Sequence, residues 1–188
     1  MDETRRQKNV INMMITMHSI LRTRYYRLAL VVELSLLVSA IVLNTLVFID
    51  YDYLKPFFDD EQVTQGYIGL FSVIVFIISV IMLRINWKEK SENHSQACTQ
   101  LSRLLGECRQ IMSMREGSEK KIAEDAFSVK YDQINNMLVP IPHSKFNSLK
   151  AKHYRKVQLS KLIDRHPGKP LFVLRFYLLF EEARKAND

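Results

Sequence analysis

Glu33 and Asn44 are the only strongly polar side chains in an apolar run from Leu28 to Ile49. At about 100° per residue of helix, Glu33, Ala40 and Asn44 fall on one narrow stripe. A carboxylate within lipid is costly and normally faces protein or water. The stripe therefore has two interpretations. It lines a pore between subunits, or Glu33 pairs with Arg84 and Asn44 hydrogen-bonds across a helix interface.

The rest of the sequence lacks the patterns of known catalytic, metal and phosphate sites. The five glycines do not cluster into a phosphate loop, and no serine, cysteine or aspartate lies in a nucleophile motif. The five histidines are scattered, and His143 and His153 lack a partner at metal-ligand spacing, so we interpret both as surface or packing residues. Residues 84–188 interleave twenty Lys/Arg with twelve acids, which does not suggest nucleic acid as a partner. We expect no enzyme activity, no cofactor and no metal.

Two apolar runs, which position the polar stripe, are predicted to be membrane-spanning helices. A helix needs ~20 apolar residues to cross a bilayer core, and residues 28–49 supply them. The second run, residues 67–87, begins with Tyr67 and ends with Trp87, and such aromatic residues favour the two interfaces of a bilayer. Because lipid offers the backbone no hydrogen-bond partners, both runs must be helical. A buried hairpin in a soluble protein is the less favoured alternative.

The charges around these runs predict their orientation. Residues 1–27 carry six Lys/Arg, whereas the connector 50–66 carries Lys55 alone against five acids. The positive-inside rule then places both termini on the cytoplasmic side of the cell (inner) membrane. The acidic connector could attract cations, but topology selection explains the same charges. The first run begins too late and is too long for a signal-peptide core, so we expect it to be retained as an anchor.

Helical periodicity continues on both sides of the hairpin. Residues 1–27 form a basic amphipathic helix that lies on the membrane surface or, as we slightly favour, packs on other cytosolic helices. After the second span, one long helix is predicted from Arg84 to about Arg115. Its apolar seam has coiled-coil spacing and predicts contacts both with the chain's own helices and with a neighbouring subunit in a homo-oligomer: Ala97, Leu101, Leu104, Cys108 and Ile111.

Further helices are predicted at about 119–138, 143–164 and 171–188. The last begins with LFVLRFYLLF, which is too short to cross a bilayer. It can be buried against the chain's own helices, against a neighbouring subunit or in the lipid interface, and the preceding Pro-Gly-Lys-Pro turn favours the first. The predicted fold is thus an all-α membrane protein. It combines an N-terminal amphipathic helix (1–27), a transmembrane hairpin (28–87), a cytosolic helical region (88–170) and a C-terminal apolar helix (171–188).

Three stretches also carry a resemblance to a known family: RYYRLALVVELSLLVSAIVL, INWKEKSENHSQACTQLSRLLGECRQI and YDQINNMLVPIPHSKF. With them, residues 10–160 resemble the SLATT family, the SMODS- and SLOG-associating two-transmembrane effector domains of bacterial conflict systems. The resemblance implies an antiviral effector that oligomerises and permeabilises the membrane when a partner sensor or nucleotide-signal enzyme is triggered. The alternative is a non-conducting, membrane-anchored scaffold that recruits a cytosolic partner. Glu33 and Asn44 favour the pore, whereas the seam fits both.

Overall fold

The computed structural model of the protein describes residues 3–49 and 60–185, and for Glu61 and residues 179–185 it describes the backbone alone. Within these ranges all regular secondary structure is helical. Residues 50–59, most of the predicted acidic connector, lie outside the described residues. The helices are α1 (Glu3–Phe48), α2 (Glu61–Ile85), α3 (Trp87–Ser113), α4 (Ser118–Met137), α5 (His143–Arg165) and α6 (Leu171–Lys185).

The helices form two compact units. One comprises Met1–Ile20 and Gln96–Asp188, and the other comprises Leu21–Ser95. Helices α1 and α3 each have one part in both units. The first unit contains the main buried core, and the second contains the two apolar runs.

The core of the first unit is built on the predicted seam of α3. Its five residues are between 0% and 9% exposed. All of them except Ala97 cluster with Ile11 of α1 and Phe127 of α4. The seam thus has its partners within the chain. The additional contact with a neighbouring subunit that the sequence suggested stays a prediction, although the seam side chains themselves are already close-packed within the chain. The seam residues are Ala97, Leu101, Leu104, Cys108 and Ile111.

Polar contacts fix the start of α1 against α3 and α4. The thiol of Cys108 donates to the Thr4 carbonyl at 3.5 Å, and the thiol of Cys98 donates to the Ile15 carbonyl at 3.7 Å, so α1 and α3 run antiparallel here. The Thr4 hydroxyl donates to the Glu124 carboxylate of α4 at 3.0 Å. The amphipathic part of α1 therefore packs on the chain's other helices, the alternative that the sequence favoured.

Helix α6 packs on α5 but is not a core helix. Leu162 on α5 and Leu174 on α6 are buried, and Leu174 is the one buried side chain among those described for α6. For the described side chains, burial of the segment in the chain's own bundle, which the sequence favoured, is therefore corrected to burial of one edge. Leu178 is half-buried, and five other large apolar side chains are exposed: Leu171, Phe172, Val173, Phe176 and Tyr177.

In the second unit, two contacts join α1 to the first turns of α3. The hydroxyl of Ser91 donates to the Arg22 carbonyl at 3.1 Å. The rings of Tyr25 and His94 stack, with centroids 5.6 Å apart and planes 2° from parallel. Both Ser91 and His94 are buried. These contacts bring the residues before the first apolar run next to those after the second.

Two stretches of the chain are long and apolar enough to span a membrane, one within Glu3–Phe48 and one within Gln62–Ser113, and the most apolar window of each is 0% buried. In α1, the less exposed residues recur at spacings of three and four and so form a single partly covered stripe. The other faces of this run are exposed. The covered stripe consists of Ala29, Val32, Leu36, Ser39, Leu43 and Leu46.

A break at Asn86 corrects the prediction of one continuous helix from Arg84 to about Arg115. Asn86 adopts the left-handed conformation, with φ 45° and ψ 61°, and its N–H caps α2 on the Met82 carbonyl. Its side chain then begins α3: the amide oxygen accepts the Glu89 N–H at 3.2 Å, and the amide nitrogen donates to the Glu89 carboxylate at 2.7 Å. One asparagine thus ends one helix and caps the next.

The predicted boundary between the amphipathic helix and the first apolar run is also corrected. The two segments form one helix, α1, of 46 residues. No glycine or proline occurs between Glu3 and Phe48, so nothing in the backbone chemistry stops the helix. At ~1.5 Å per residue it is about 70 Å long. The sequence changes from amphipathic to apolar near residue 28, but the helical backbone continues without a break.

Candidate functional site

Polar side chains of the apolar runs differ in whether their own helix provides a hydrogen-bond partner. Three hydroxyls donate to the carbonyl four residues earlier in their own helix, at 2.8, 2.9 and 2.9 Å. Such bonds satisfy a hydroxyl even where the surroundings offer no water. These residues therefore need no partner from another helix: Ser35, Thr45 and Ser79.

Glu33 and Asn44 differ from these three residues. Both side chains are exposed, and neither has a hydrogen bond or ion pair with the described residues. They lie three helical turns apart on the same stripe as Ala40, which is also exposed. A carboxylate and an amide have more donors and acceptors than their own helix backbone can satisfy. Within the described residues, these two side chains therefore still need partners.

Arg84 does not supply the partner expected for Glu33. It lies in the last turn of α2 and is exposed, and among the described residues no ion pair joins it to Glu33. A cation at this position suits the negative end of the α2 dipole instead. The single chain therefore does not contain the Glu33–Arg84 pair that one interpretation of the sequence required.

The position of the polar stripe makes it accessible to another helix. Taking about 100° per residue, Glu33 and Asn44 lie roughly a quarter turn around α1 from the centre of its covered stripe. Asn44 also borders a shallow pocket of about 410 Å³, together with Thr45, Phe48 and Ile49. The stripe thus occupies an open flank of α1 that a second copy of the chain can approach.

A second feature is a groove in the first unit, between the N-terminal part of α1 and α5, with a volume of about 610 Å³. Two apolar residues of α1, Val10 and Met13, line this groove rather than the core. Periodicity alone could not reveal it, because it depends on which face of α5 packs near α1. The lining residues are Asn9, Val10, Asn12, Met13 and Thr16 from α1, and His153, Tyr154, Lys156, Val157 and Ser160 from α5.

One contact in the groove determines a histidine tautomer. Nδ1 of His153 lies 3.0 Å from the Thr16 hydroxyl oxygen, and that hydroxyl donates its own proton to the Asn12 carbonyl at 3.0 Å. With its proton on that bond, the Thr16 oxygen is an acceptor for the ring, and this hydrogen-bond network assigns the ring proton to Nδ1. Burial lowers the pKa of His153, and the positive charge of Lys156 lowers it further. The neutral ring then has an acceptor at Nε2.

In the part of the chain that the structure describes, no three His, Cys, Asp or Glu side chains are grouped so as to hold a metal ion. Comparison with protein-family models, with curated proteins and with solved structures gives no match to the chain. The resemblance to the SLATT family therefore depends on the three sequence stretches alone, and function must be argued from the geometry of this chain.

Proposed function

We propose that the protein is a two-span membrane protein that assembles into a homo-oligomer and permeabilises the bilayer. The trigger comes from a separate sensor or nucleotide-signal enzyme, and the setting implied by the SLATT resemblance is bacterial antiviral defence. One observation carries the proposal: Glu33 and Asn44 are exposed and lack partners among the described residues, on a helix whose other exposed surface suits lipid.

The exposure of the two apolar runs supports the membrane location. Helices of similar length and composition in soluble proteins are buried in the core, whereas the most apolar windows here are 0% buried. An open apolar surface of this extent would aggregate in water. Ile11 and Met17, which precede the first run, are buried in the first unit. Cleavage of the first run as a signal peptide would remove them from the core, which supports its retention as an anchor.

The need to cover Glu33 and Asn44 supports the oligomer. Polar side chains within the membrane normally face a bundle interior or a water-filled cavity, and a hairpin of two helices encloses neither. Several copies arranged around a common axis can turn their Glu33–Asn44 stripes towards one another and towards water. A ring of carboxylates near the cytoplasmic end would favour the passage of cations.

The second candidate function is a non-conducting, membrane-anchored scaffold. Two observations favour it: the groove between α1 and α5, and the exposed apolar face of α6. Each is a surface in the first unit on which a partner protein could bind. A scaffold, however, gives no reason for an exposed carboxylate and amide on the first span, so we place the pore first.

The test is inducible expression in bacteria with a membrane-potential dye. Wild-type protein should depolarise the cells, and Asn44→Leu should depolarise them several-fold less at equal membrane insertion, because the pore lining loses its amide. Thr45→Val is the matched control, since the Thr45 hydroxyl is satisfied by its own helix. Equal depolarisation by Asn44→Leu and wild type would remove Asn44 from the pore lining. Inserted, oligomeric wild-type protein that leaves the potential unchanged would favour the scaffold.

A further inference from the structure

The outer face of α6 is apolar, aromatic and uncovered. Phe172 is 66% exposed and Phe176 is 61% exposed. Both residues point away from the edge on which Leu174 is buried, since helix positions two residues apart differ by about 200°. Val173, one residue from Leu174, lies about 100° around the helix from that edge and extends the exposed face. Arg175 and Tyr177 lie on either side of this face and are also exposed. The described side chains thus give α6 one edge packed against the chain and an opposite face without a partner.

The charges near this face are positive. Lys161, Arg165, Lys169 and Arg175 are exposed between the end of α5 and the first two turns of α6, and Asp164 is the one acid within residues 161–178. Later in α6 the sequence has two acids and two basic residues, Glu181, Glu182, Arg184 and Lys185. Such a combination of an aromatic face with basic residues beside it is typical of helices that lie in the interface of an anionic bilayer. In that setting the aromatic rings enter the acyl boundary, and the long arginine and lysine side chains extend to the phosphates.

We infer that the outer face of α6 rests in the anionic lipid surface of the membrane that anchors the chain. A second copy of the chain is a poorer occupant. A symmetric α6–α6 contact would bring Arg175 close to the Arg175 of the other copy and remove both charges from water. The lipid surface instead matches the sign of the charge. The inference depends on the proposed membrane location, because the two spans hold the chain at the bilayer and so keep α6 near its lipids.

The experiment uses the full chain in vesicles and a single tryptophan as a depth probe. Trp87 is the one native tryptophan, so Trp87→Phe provides the background. Phe176→Trp then reports on α6, and Val129→Trp is the matched control, because Val129 is an exposed apolar residue of α4. Each variant is reconstituted in vesicles of phosphatidylcholine and phosphatidylglycerol, with and without brominated acyl chains. Tryptophan at 176 should be quenched by bromine several-fold more than tryptophan at 129.

Two further arms test the role of charge. Adding Arg175→Glu to the Phe176→Trp variant, or omitting phosphatidylglycerol, should reduce the bromine quenching. Fluorescence at 176 that is quenched by aqueous acrylamide but not by brominated lipid would overturn the inference, because the face would then lie in water. Fluorescence shielded from both quenchers would overturn it as well, since protein would then cover the face.

Alkaline extraction of the same vesicles separates this inference from the proposed function. A chain removed by alkaline carbonate has no spans in the bilayer, which would overturn both. A retained chain whose tryptophan at 176 is not quenched by brominated lipid would overturn the α6 contact alone.

Discussion

His153 on α5 and Thr16 on α1 form a polar contact between two helices that are 137 positions apart in sequence, with Nδ1 and the hydroxyl oxygen separated by 3.0 Å. The contact assigns the ring proton to Nδ1 and holds one face of α5 against α1. Because the surroundings of His153 disfavour its charged form, the contact also links the stability of the first unit to pH.

We predict that the stability of the first unit falls in mildly acidic solution. The pKa of His153 is lowered in the folded protein, whereas an unfolded histidine titrates near about 6.5. The unfolded chain therefore binds this proton more readily. The contribution of His153 to stability is complete above about pH 6.5 and is lost as the pH falls from there towards the lower folded pKa.

The measurement is thermal unfolding in detergent at about pH 5.5 and at about pH 7.5, on either side of the histidine range. His153→Gln should reduce the difference between the two midpoints. His166→Gln is the control, because His166 is exposed, and it should leave the difference unchanged. An equal pH dependence in wild type and His153→Gln would contradict the prediction.

The seam of α3 gives a prediction about the core. Leu104 is 1% exposed, so Leu104→Ala should destabilise the first unit by about 2–5 kcal/mol through lost burial and a cavity. Val129→Ala on α4, where the side chain is 60% exposed, should change stability by no more than about 0.5 kcal/mol.

The buried Cys108 thiol can report this unfolding by its reaction with a thiol dye, with Cys98→Ser in all variants to leave one reactive site. Similar dye reactivity in the Leu104→Ala and Val129→Ala variants would show that Leu104 is not a core residue. If Leu104→Ala decreases chemical cross-linking between subunits but does not speed up the dye reaction, the seam forms a contact between subunits instead.

Sequence periodicity predicted the all-helical architecture, the bounds of the later helices and the residues of the α3 seam, because burial follows the helical repeat directly. It could not predict the break at Asn86, since the apolar pattern continues across a single left-handed residue. It also could not predict the groove between α1 and α5, which depends on the packing of distant segments. The polar stripe was visible in the sequence, but its lack of an Arg84 partner required the geometry.

Asn86 gives the third prediction. Asn86→Gly keeps the left-handed conformation and loses only the side-chain cap, which should cost a few tenths of a kcal/mol. Asn86→Ala loses the cap and is strained at φ 45°, which should cost about 2 kcal/mol. Thermal unfolding of the two variants in detergent measures the difference. An alanine variant as stable as the glycine variant would indicate that α2 and α3 can join into one continuous helix.

Orientation gives the fourth prediction. The Lys/Arg residues that flank the two runs predict that both termini lie in the cytoplasm, so reporter fusions at Asp2 and at Asp188 should both give a cytoplasmic signal. A reporter placed in the connector 50–66 should give the opposite signal and serves as the internal control. A periplasmic signal from either terminus would contradict the two-span topology.

Glu33 and Asn44 lie on one uninterrupted part of α1, with no glycine or proline between them. This part of the helix therefore has no hinge at which one of the two side chains can turn without the other. A rotation of about 100° around the helix axis, the step between neighbouring residues, would move both side chains through the same angle. In the proposed oligomer, the carboxylate and the amide would therefore turn towards or away from the common axis together.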